Sequence, residues 1–230
     1  MKNIKHIFFD LDHTLWDYDT NASATLKQLY ENYQLSNHLS VDAAGFVQSF
    51  FKTNDQLWAK YNIGEIDRDT IRNSRFEMVL NAAGCKVQLD HLGMNDYFLY
   101  HCPRQTRIID GADLILDYLV KKYELSIITN GFNDVQSVKL EACGLAKYFD
   151  KVFTSESAGF KKPSPEIFDH ALGEVGFSKE ECLMIGDNPK TDILGAENAG
   201  ITPIFFNPTG QLKSTCEYEI SHLSELMRIL

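Results

Sequence analysis

The sequence predicts an α/β protein: a Rossmann-like, doubly wound parallel sheet with an inserted helical cap domain. Five short runs of apolar, β-branched or aromatic residues occur almost without polar alternation, as in strands buried on both faces of a sheet. Helical periodicity separates the last four runs, and such alternation is typical of βαβ units. The predicted strands are 4–10, 125–130, 152–155, 182–187 and 202–207.

Apolar residues three or four positions apart predict a helix beside each later strand. Glycine follows three of these patterns, at Gly144, Gly176 and Gly200, where a residue that readily adopts positive φ favours the end of a helix. The residues that carry the patterns are Leu114, Leu116, Leu119 and Val120, then Val135, Val138, Leu140 and Cys143, then Ile167, Phe168, Ala171, Leu172 and Val175, and finally Ile193, Leu194, Ala196 and Ala199.

The interval between the first and second strands contains no convincing strand pattern. It shows four stretches of helical periodicity, around Leu29, Phe50, Val79 and Phe98, and Met78 lies in the third of them. An interval of this length is ample for a small domain of its own. We therefore predict a core formed by residues 1–16 and 106–230, and a helical cap formed by residues 17–105.

Composition and charge narrow the classes of partner. The chain has 230 residues, with 32 acidic and 22 basic side chains, and a net charge of −10. This excess of acid argues against binding to nucleic-acid polymers and against a polybasic membrane-surface role. No apolar stretch approaches the ~20 residues of a membrane span. The five cysteines are scattered without a Cys-x-x-Cys pair, which favours reduced thiols and the cytoplasm. Nothing in the sequence specifies an oligomeric state.

Polar side chains follow the predicted strands at the points where the strands end. Because the carboxyl ends of parallel strands lie at one edge of a sheet, we expect these groups to converge there. They comprise carboxylates, a hydroxyl, an amide and an ammonium group. They are Asp10 and Asp12 after the first strand, Thr129 and Asn130 at the end of the second, Lys162 after the third, and Asp187 and Asp192 after the fourth.

This set of groups matches the requirements of phosphoryl chemistry. Clustered carboxylates raise one another's pKa values unless a cation joins them, and hard oxygen ligands favour Mg²⁺. A hydroxyl and a lysine suit the oxygens of a phosphoryl group. One carboxylate can attack phosphorus, and a second can protonate the leaving oxygen. The predicted substrate is therefore a small phosphate ester.

The motifs resemble, in order and position, the four motifs of the haloacid dehalogenase superfamily, and the resemblance covers nearly the whole chain. It implies that Asp10 is the nucleophile and Asp12 the general acid and base. It further implies that Thr129 binds phosphoryl oxygens, helped by Asn130. Lys162 would steady the nucleophile and the phosphoryl charge.

The same resemblance implies a Mg²⁺ site. Its ligands would be the carboxylates of Asp10 and Asp187 and the backbone carbonyl oxygen of Asp12. Asp192 would be a nearby carboxylate that supports the metal. Asp12 also favours hydrolysis of a phosphate ester over dehalogenation. The family's dehalogenases have no Asp at this position, because their reaction releases no alkoxide that needs a proton.

Looser features resemble bacterial pyrimidine 5′-nucleotidases and favour a nucleoside 5′-monophosphate as substrate. On this hypothesis Trp16, Trp58 or Tyr61 stacks on the base; burial of Trp58 and Tyr61 within the cap is the competing interpretation. Three alternatives stay open: a sugar-phosphate or phosphoglycolate phosphatase, a phosphomutase, and an inactive member that serves as a binding module. The features lie at 57–61, 64–66, 129–132 and 139–141.

Overall fold

A computed structural model describes residues 3–230, which divide into two compact units. The core unit combines the chain up to Tyr18 with Thr106–Leu230, and the helical unit comprises Asp19–Gln105. The sequence analysis predicts the boundaries of the helical unit at 16/17 and 105/106. The role of this unit as a cap stays a prediction. No helix within residues 3–230 is long and apolar enough to cross a bilayer.

The helical unit is built from amphipathic helices with side-chain caps. Asp42, Asp67 and Asp90 precede three of the helices, and each carboxylate accepts a hydrogen bond from the backbone N–H three residues later. In its interior the ring centroids of Phe50 and Phe76 are 5.6 Å apart. The helices are α1 (Tyr18–Asn32), α2 (Ala43–Asn62), α3 (Arg68–Ala82) and α4 (His91–His101).

The core unit contains a six-stranded sheet in which every pairing is parallel, with the order β3-β2-β1-β4-β5-β6. The five predicted strands are confirmed, with ends displaced by at most two residues. The sixth strand escaped prediction because two residues carry no measurable periodicity. The strands are β1 (His6–Phe9), β2 (Glu124–Thr129), β3 (Lys151–Thr154), β4 (Cys182–Gly186), β5 (Thr202–Phe206) and β6 (Glu219–Ile220).

Strand β1 lies at the point where the order of the strands reverses. Its last residue, Phe9, is in register with Ile127 of β2 and with Ile185 of β4. The chain passes from β1 through β2 to β3 on one side, then crosses to β4 on the other. In open α/β sheets ligands bind at such a switch point, outside the carboxyl ends of the strands.

Both faces of the sheet are covered, as a doubly wound fold requires. Phe8 packs in a cluster with Ile167 and Phe168, while Ile7 and Phe9, which alternate with it along β1, are also fully buried. The helices of the core unit are α5 (Ala112–Leu119), α6 (Asn133–Ala142), α7 (Ser155–Ala158), α8 (Pro165–Val175), α9 (Leu194–Ala199) and α10 (Leu226–Ile229). Short 3₁₀ turns occur at Leu35–Asn37, Cys102–Arg104, Ala146–Tyr148, Lys179–Glu181 and Leu223–Glu225, and a π-helical turn occurs at Pro189–Ile193.

The helix predictions are confirmed in position, but four residues assigned to the buried apolar faces are exposed. Gly144, Gly176 and Gly200 have φ values of 73°, 78° and 75°, as expected for residues that end helices. The four exposed residues are Leu114, Met78, Val120 and Leu194, which are 64%, 38%, 43% and 44% exposed and so do not contribute to the apolar faces predicted for them. In α5 the buried positions follow the spacing i, i+3, i+4, i+7 from residue 112, which leaves residue 114 on the outer side.

His6 is a polar residue in the apolar interior. Its side chain is 1% exposed, its ring centroid lies 4.6 Å from that of Phe8 and 5.7 Å from that of Phe177, and neither ring nitrogen has a hydrogen-bond partner. Glu124 Oε2 lies 4.0 Å from Nδ1, which is too far for a hydrogen bond. Burial, assisted by the nearby charge of Lys151, lowers the pKa of His6 to about 4.

We predict that His6 makes the fold sensitive to mild acid. Because the folded-state pKa is about 4 and the reference value is 6.5, the unfolded chain binds the extra proton first as the pH falls. The contribution of neutral His6 to the free energy of unfolding is fully present above pH 6.5. It is lost between pH 6.5 and 4, by roughly 3 kcal/mol in all. Urea unfolding of the wild type and of His6→Phe at pH 7.5 and 4.5 measures this loss.

The wild type should lose about 2 kcal/mol more than His6→Phe between the two pH values. The matched control is His38→Phe, the same change at an exposed position, which should leave the pH dependence as it is in the wild type. Equal losses in the wild type and in His6→Phe would contradict the prediction.

Candidate active site

Lys162 joins the ends of three strands or the loops that follow them. The backbone N–H of Asp10 donates to the carbonyl oxygen of Ile185 at 2.9 Å, which carries the β1 ladder one residue further. Lys162 Nζ lies 2.6 Å from Asp10 Oδ1 and 2.7 Å from Asp192 Oδ1, and it donates to the carbonyl oxygen of Ile128 at 2.7 Å. The residue is 1% exposed, and these three partners can use all three ammonium protons.

Three carboxylates form a cluster here, and two of them, those of Asp10 and Asp192, contact the ammonium group. Asp10, Asp187 and Asp192 each offer an oxygen within 4.8 Å of the other two. The turn Pro189–Ile193 brings Asp192 back against the end of β4. This return requires a glycine, because a Cβ at Gly186 would lie 2.3 Å from Asp192 Oδ2.

The two aspartates that follow β4 are held differently. Asp192 uses both oxygens, since Oδ1 binds Lys162 and Oδ2 accepts from the backbone N–H of Asn188 at 3.0 Å. Asp187 accepts a hydrogen bond of 2.9 Å from the Thr14 hydroxyl through Oδ1. Asp192 is therefore anchored through both carboxylate oxygens, whereas the hydrogen bond from Thr14 orients Asp187 through Oδ1.

Burial and mutual repulsion perturb the titration of this cluster. Burial, and then the charge of Asp192, raise the pKa of Asp187 to about 7, against the hydrogen bond from Thr14. Burial also raises the pKa of Asp10. The charge of Lys162 lowers this pKa, but the charges of Asp192 and Asp187 offset part of that effect. For Lys162, burial lowers the pKa, but the carboxylates of Asp10 and Asp192 prevail and the net shift is upward.

The cluster has the composition of a divalent-cation site. One ammonium group faces three carboxylates, so two negative charges are uncompensated when all three are ionised. Carboxylate oxygens are hard ligands of the kind that Mg²⁺ binds. The residues present thus fit the metal that the sequence predicts, with Asp10 and Asp187 as the carboxylates less fully occupied by protein donors.

Asp12 does not join the acidic cluster through its side chain. Lys139 Nζ lies 2.6 Å from Asp12 Oδ1 and 2.8 Å from Oδ2, and Gln136 Nε2 donates to Oδ2 at 3.1 Å. The loop that carries Asp12 is closed by hydrogen bonds from the N–H groups of Leu15 and Trp16 to the carbonyl oxygen of Leu11. The carboxylate is therefore separate from those of Asp10, Asp187 and Asp192, although all four follow β1 or β4.

Thr129 and Asn130, at the end of β2, have different surroundings. The Thr129 hydroxyl oxygen accepts from the N–H of Gly131 at 3.0 Å and from Gln136 Nε2 at 2.7 Å. Asn130 binds the backbone of Lys162 at both ends of its amide, accepting from N at 2.8 Å and donating to O at 2.9 Å. In this structure Asn130 positions the Lys162 segment, and its contact with phosphate stays a prediction.

The three aromatic residues predicted to contact a base lie in two units. Trp16, in the core unit, is fully buried, and Lys139 Nζ lies 4.6 Å from its ring centroid. Trp58 and Tyr61 lie on α2 in the helical unit, with ring centroids 5.3 Å apart in an edge-to-face arrangement. Tyr61 is buried and Trp58 is half-buried, and a role for any of the three in base recognition stays a prediction.

Sequence reasoning gave no role in the site to three residues that hold the predicted ones. Gln136 and Lys139 contact Asp12, and Thr14 contacts Asp187. One sequence feature could have indicated two of them. Gln136 and Lys139 are three positions apart on the helix after Thr129, so their polar groups lie on one face of that helix. That spacing alone does not show whether the face is turned inward.

Comparisons with known proteins find matches over most or nearly all of the chain. A family model described as a haloacid dehalogenase-like hydrolase matches residues 4–200. The pyrimidine 5′-nucleotidase PynA of Streptococcus pneumoniae is 31% identical, covering 98% of this chain and 94% of its own. The pyrimidine 5′-nucleotidase YjjG of Escherichia coli is also 31% identical, covering 97% and 96%.

A solved structure is also similar along its whole length. The magnesium-bound crystal structure of the HAD-hydrolase YfnB from Bacillus subtilis has a TM-score of 0.89 and 30% identity, with 100% of this chain and 99% of the other covered. The matches confirm the predicted fold class and the resemblance on which the sequence analysis relies.

We predict that a divalent cation binds the acidic cluster more tightly as the pH rises through 7. The pKa of Asp187 is about 7 and that of Asp10 is raised, so at lower pH the cation must displace a proton. Displacement of one proton weakens binding by up to about tenfold per pH unit. Calorimetric titration with Mg²⁺ at pH 6 and pH 8 should show affinity about tenfold lower at pH 6.

Two variants test the assignment. Asp187→Asn should weaken Mg²⁺ binding and remove most of its pH dependence, whereas Asp113→Asn, at an exposed position on α5, should bind as the wild type does. A wild-type affinity that is the same at pH 6 and pH 8 would show that Asp187 does not bind the cation in competition with a proton.

Proposed function

The chain belongs to the haloacid dehalogenase-like hydrolases, and on that premise we propose that it is a Mg²⁺-dependent phosphatase acting on small phosphate monoesters, chiefly nucleoside 5′-monophosphates. One observation supports the proposal above the others. The carboxylate of Asp10 is held 2.6 Å from a buried ammonium group, at the carboxyl edge of the sheet and within a cluster of acidic residues.

Asp10 serves as the nucleophile. One of its carboxylate oxygens forms a bond to phosphorus while the bond between phosphorus and the ester oxygen breaks, which yields an aspartyl-phosphate and an alcohol. Lys162 holds Oδ1 of this carboxylate and places positive charge beside the phosphoryl group. The Thr129 hydroxyl donates to a phosphoryl oxygen.

Asp12 moves the protons. It gives a proton to the ester oxygen as the alcohol leaves, and then accepts a proton from the water that attacks the aspartyl-phosphate. That second step breaks the bond between Asp10 and phosphorus, releases phosphate and restores the protonated Asp12. The separation of the Asp12 carboxylate from the acidic cluster suits this division of roles, because a carboxyl group that donates a proton cannot bind the metal at the same time.

Asp10 and Asp187, with the backbone carbonyl oxygen of Asp12, would hold Mg²⁺, and Asp192 would support the site through Lys162 and Asn188. When bound, Mg²⁺ supplies positive charge to the phosphoryl oxygens and offsets the repulsion between them and the carboxylates. The magnesium in the similar YfnB structure supports this choice of ion.

The named activities of two similar proteins favour a nucleotide over other phosphate esters as the substrate. PynA and YjjG are pyrimidine 5′-nucleotidases and match nearly the full length of this chain. We assign recognition of the substrate beyond its phosphate to the helical unit, with Trp58 or Tyr61 as the residue that stacks on the base. Sugar phosphates and phosphoglycolate are the alternative substrates. Phosphate release measured with these esters and with nucleoside monophosphates decides between them.

We predict that Asp10→Asn abolishes Mg²⁺-dependent release of phosphate. The amide keeps the shape of the side chain but is not a nucleophile, so kcat should fall by at least about 10³-fold. Release of phosphate from 4-nitrophenyl phosphate measures the loss, and circular dichroism establishes that the variant is folded. Asp113→Asn, the same change at an exposed site, should retain wild-type activity.

An active Asp10→Asn enzyme would overturn the covalent mechanism. Failure of the wild type to release phosphate from any ester would instead favour a binding module without activity, and isomerisation of the ester without release would favour a phosphomutase.

A second prediction concerns the base. If Trp58 stacks on it, Trp58→Ala should lower kcat/KM for pyrimidine nucleoside monophosphates by roughly 5- to 150-fold, the equivalent of ~1–3 kcal/mol. It should leave kcat/KM for 4-nitrophenyl phosphate little changed, and Trp58→Phe, which keeps a ring, should retain most of the nucleotide activity. An unchanged ratio of the two activities in Trp58→Ala would exclude Trp58 from base recognition.

A further inference from the structure

Helix α6 turns two buried polar side chains toward the loops that end β1 and β2. Gln136 is fully buried and Lys139 is 5% exposed, and the two lie three positions apart on one face of the helix. A buried lysine and a buried glutamine are costly unless their polar ends are paired. Their partners therefore indicate why this face of the helix is polar.

Lys139 is paired with the carboxylate of Asp12 through both oxygens, at 2.6 and 2.8 Å. The ammonium group also lies over the ring of Trp16 at 4.6 Å and 5.7 Å from the ring centroid of Tyr18. Contact with two oxygens and two rings restricts the lysine to one place, and through it the orientation of the Asp12 carboxylate is restricted as well.

Gln136 links Asp12 to Thr129. Its Nε2 atom lies 3.1 Å from Asp12 Oδ2 and 2.7 Å from the Thr129 hydroxyl oxygen. That oxygen also accepts from the N–H of Gly131. A hydroxyl oxygen has two acceptor positions, so both are used and the proton of Thr129 is left for a further acceptor.

The loop after β2 is shaped to allow this link. A Cβ at Gly131 would lie 2.0 Å from Gln136 Nε2 and 2.5 Å from its Cδ. Any larger residue at this position must displace the amide of Gln136, which is fully buried and donates through Nε2 to Asp12 and Thr129. The glycine therefore permits the contact between α6 and the two residues proposed to act on the substrate.

We propose that Lys139 and Gln136 are positioning residues for the reaction: Lys139 fixes the carboxyl group of Asp12 in line with the leaving oxygen, and Gln136 holds Asp12 and the Thr129 donor in one frame. This inference rests on the proposed phosphatase function. General acid catalysis depends on a carboxyl group within hydrogen-bond reach of the oxygen that it protonates, and a small misplacement lowers its contribution sharply.

The consequence is a dependence on the leaving group. A nitrophenolate departs readily without a proton, whereas an alkoxide needs one. Loss of Lys139 should therefore impair the hydrolysis of an alkyl ester far more than that of an aryl ester. A general disturbance of the fold would reduce both rates by the same factor.

The experiment uses 4-nitrophenyl phosphate and 4-nitrobenzyl phosphate, which differ by one methylene group and have leaving groups of very different basicity. For Lys139→Met, we expect kcat/KM for the benzyl ester to fall roughly 10- to 100-fold more than kcat/KM for the phenyl ester. Gln136→Met should change the ratio in the same direction by a smaller factor, and it serves as the test if Lys139→Met does not fold. Lys147→Met, the same change at an exposed lysine, should leave the ratio unchanged.

The outcomes separate the two proposals. Equal losses for both esters in the folded variants, or a wild type that hydrolyses only the phenyl ester, would overturn the positioning role while the phosphatase function stands. A wild type that releases phosphate from neither ester would overturn the phosphatase function and this inference with it.

Discussion

The buried ammonium group of Lys162 is the interaction on which the carboxyl edge of the sheet depends. It contacts the residue after β1, a carbonyl oxygen of β2 and a carboxylate that returns to the end of β4. Removing one partner from such a buried pair typically costs about 3–5 kcal/mol, because the remaining charge is stranded. Here removal of the lysine would leave carboxylates facing one another without a cation. The same charge that supports the fold also faces the proposed nucleophile, so stability and chemistry share one residue.

Much of the core could be predicted because its signals are local. A strand buried on both faces is a continuous apolar run, and each run ends where a charged or polar residue appears, as at Asp10 and Asp187. The grouping of Asp10, Asp187 and Asp192 follows from the rule that parallel strands share a carboxyl edge.

What escaped prediction depends on how elements pack. The rotation of α6 decides whether Gln136 and Lys139 meet Asp12 or water, and their spacing is compatible with either. Asn130 engages the Lys162 backbone because two loops, 32 residues apart, approach each other. Leu114 is apolar yet exposed because its neighbours in α5 already supply the buried stripe. In each case the deciding information is a tertiary distance, which one sequence does not contain.

The insertion of the helical unit directly after β1 has a consequence for biosynthesis. The ribosome makes β1 early, but its partners β2 and β4 follow the whole helical unit, and the Asp10–Lys162 contact spans 152 positions in the chain. The helical unit, in which α2 packs on α3 and α3 on α4, can assemble from sequence-local contacts while β1 still lacks both neighbours. The apolar strand that later occupies the centre of the sheet is thus the strand that waits longest for its neighbours, and its unpaired edges favour aggregation in the meantime.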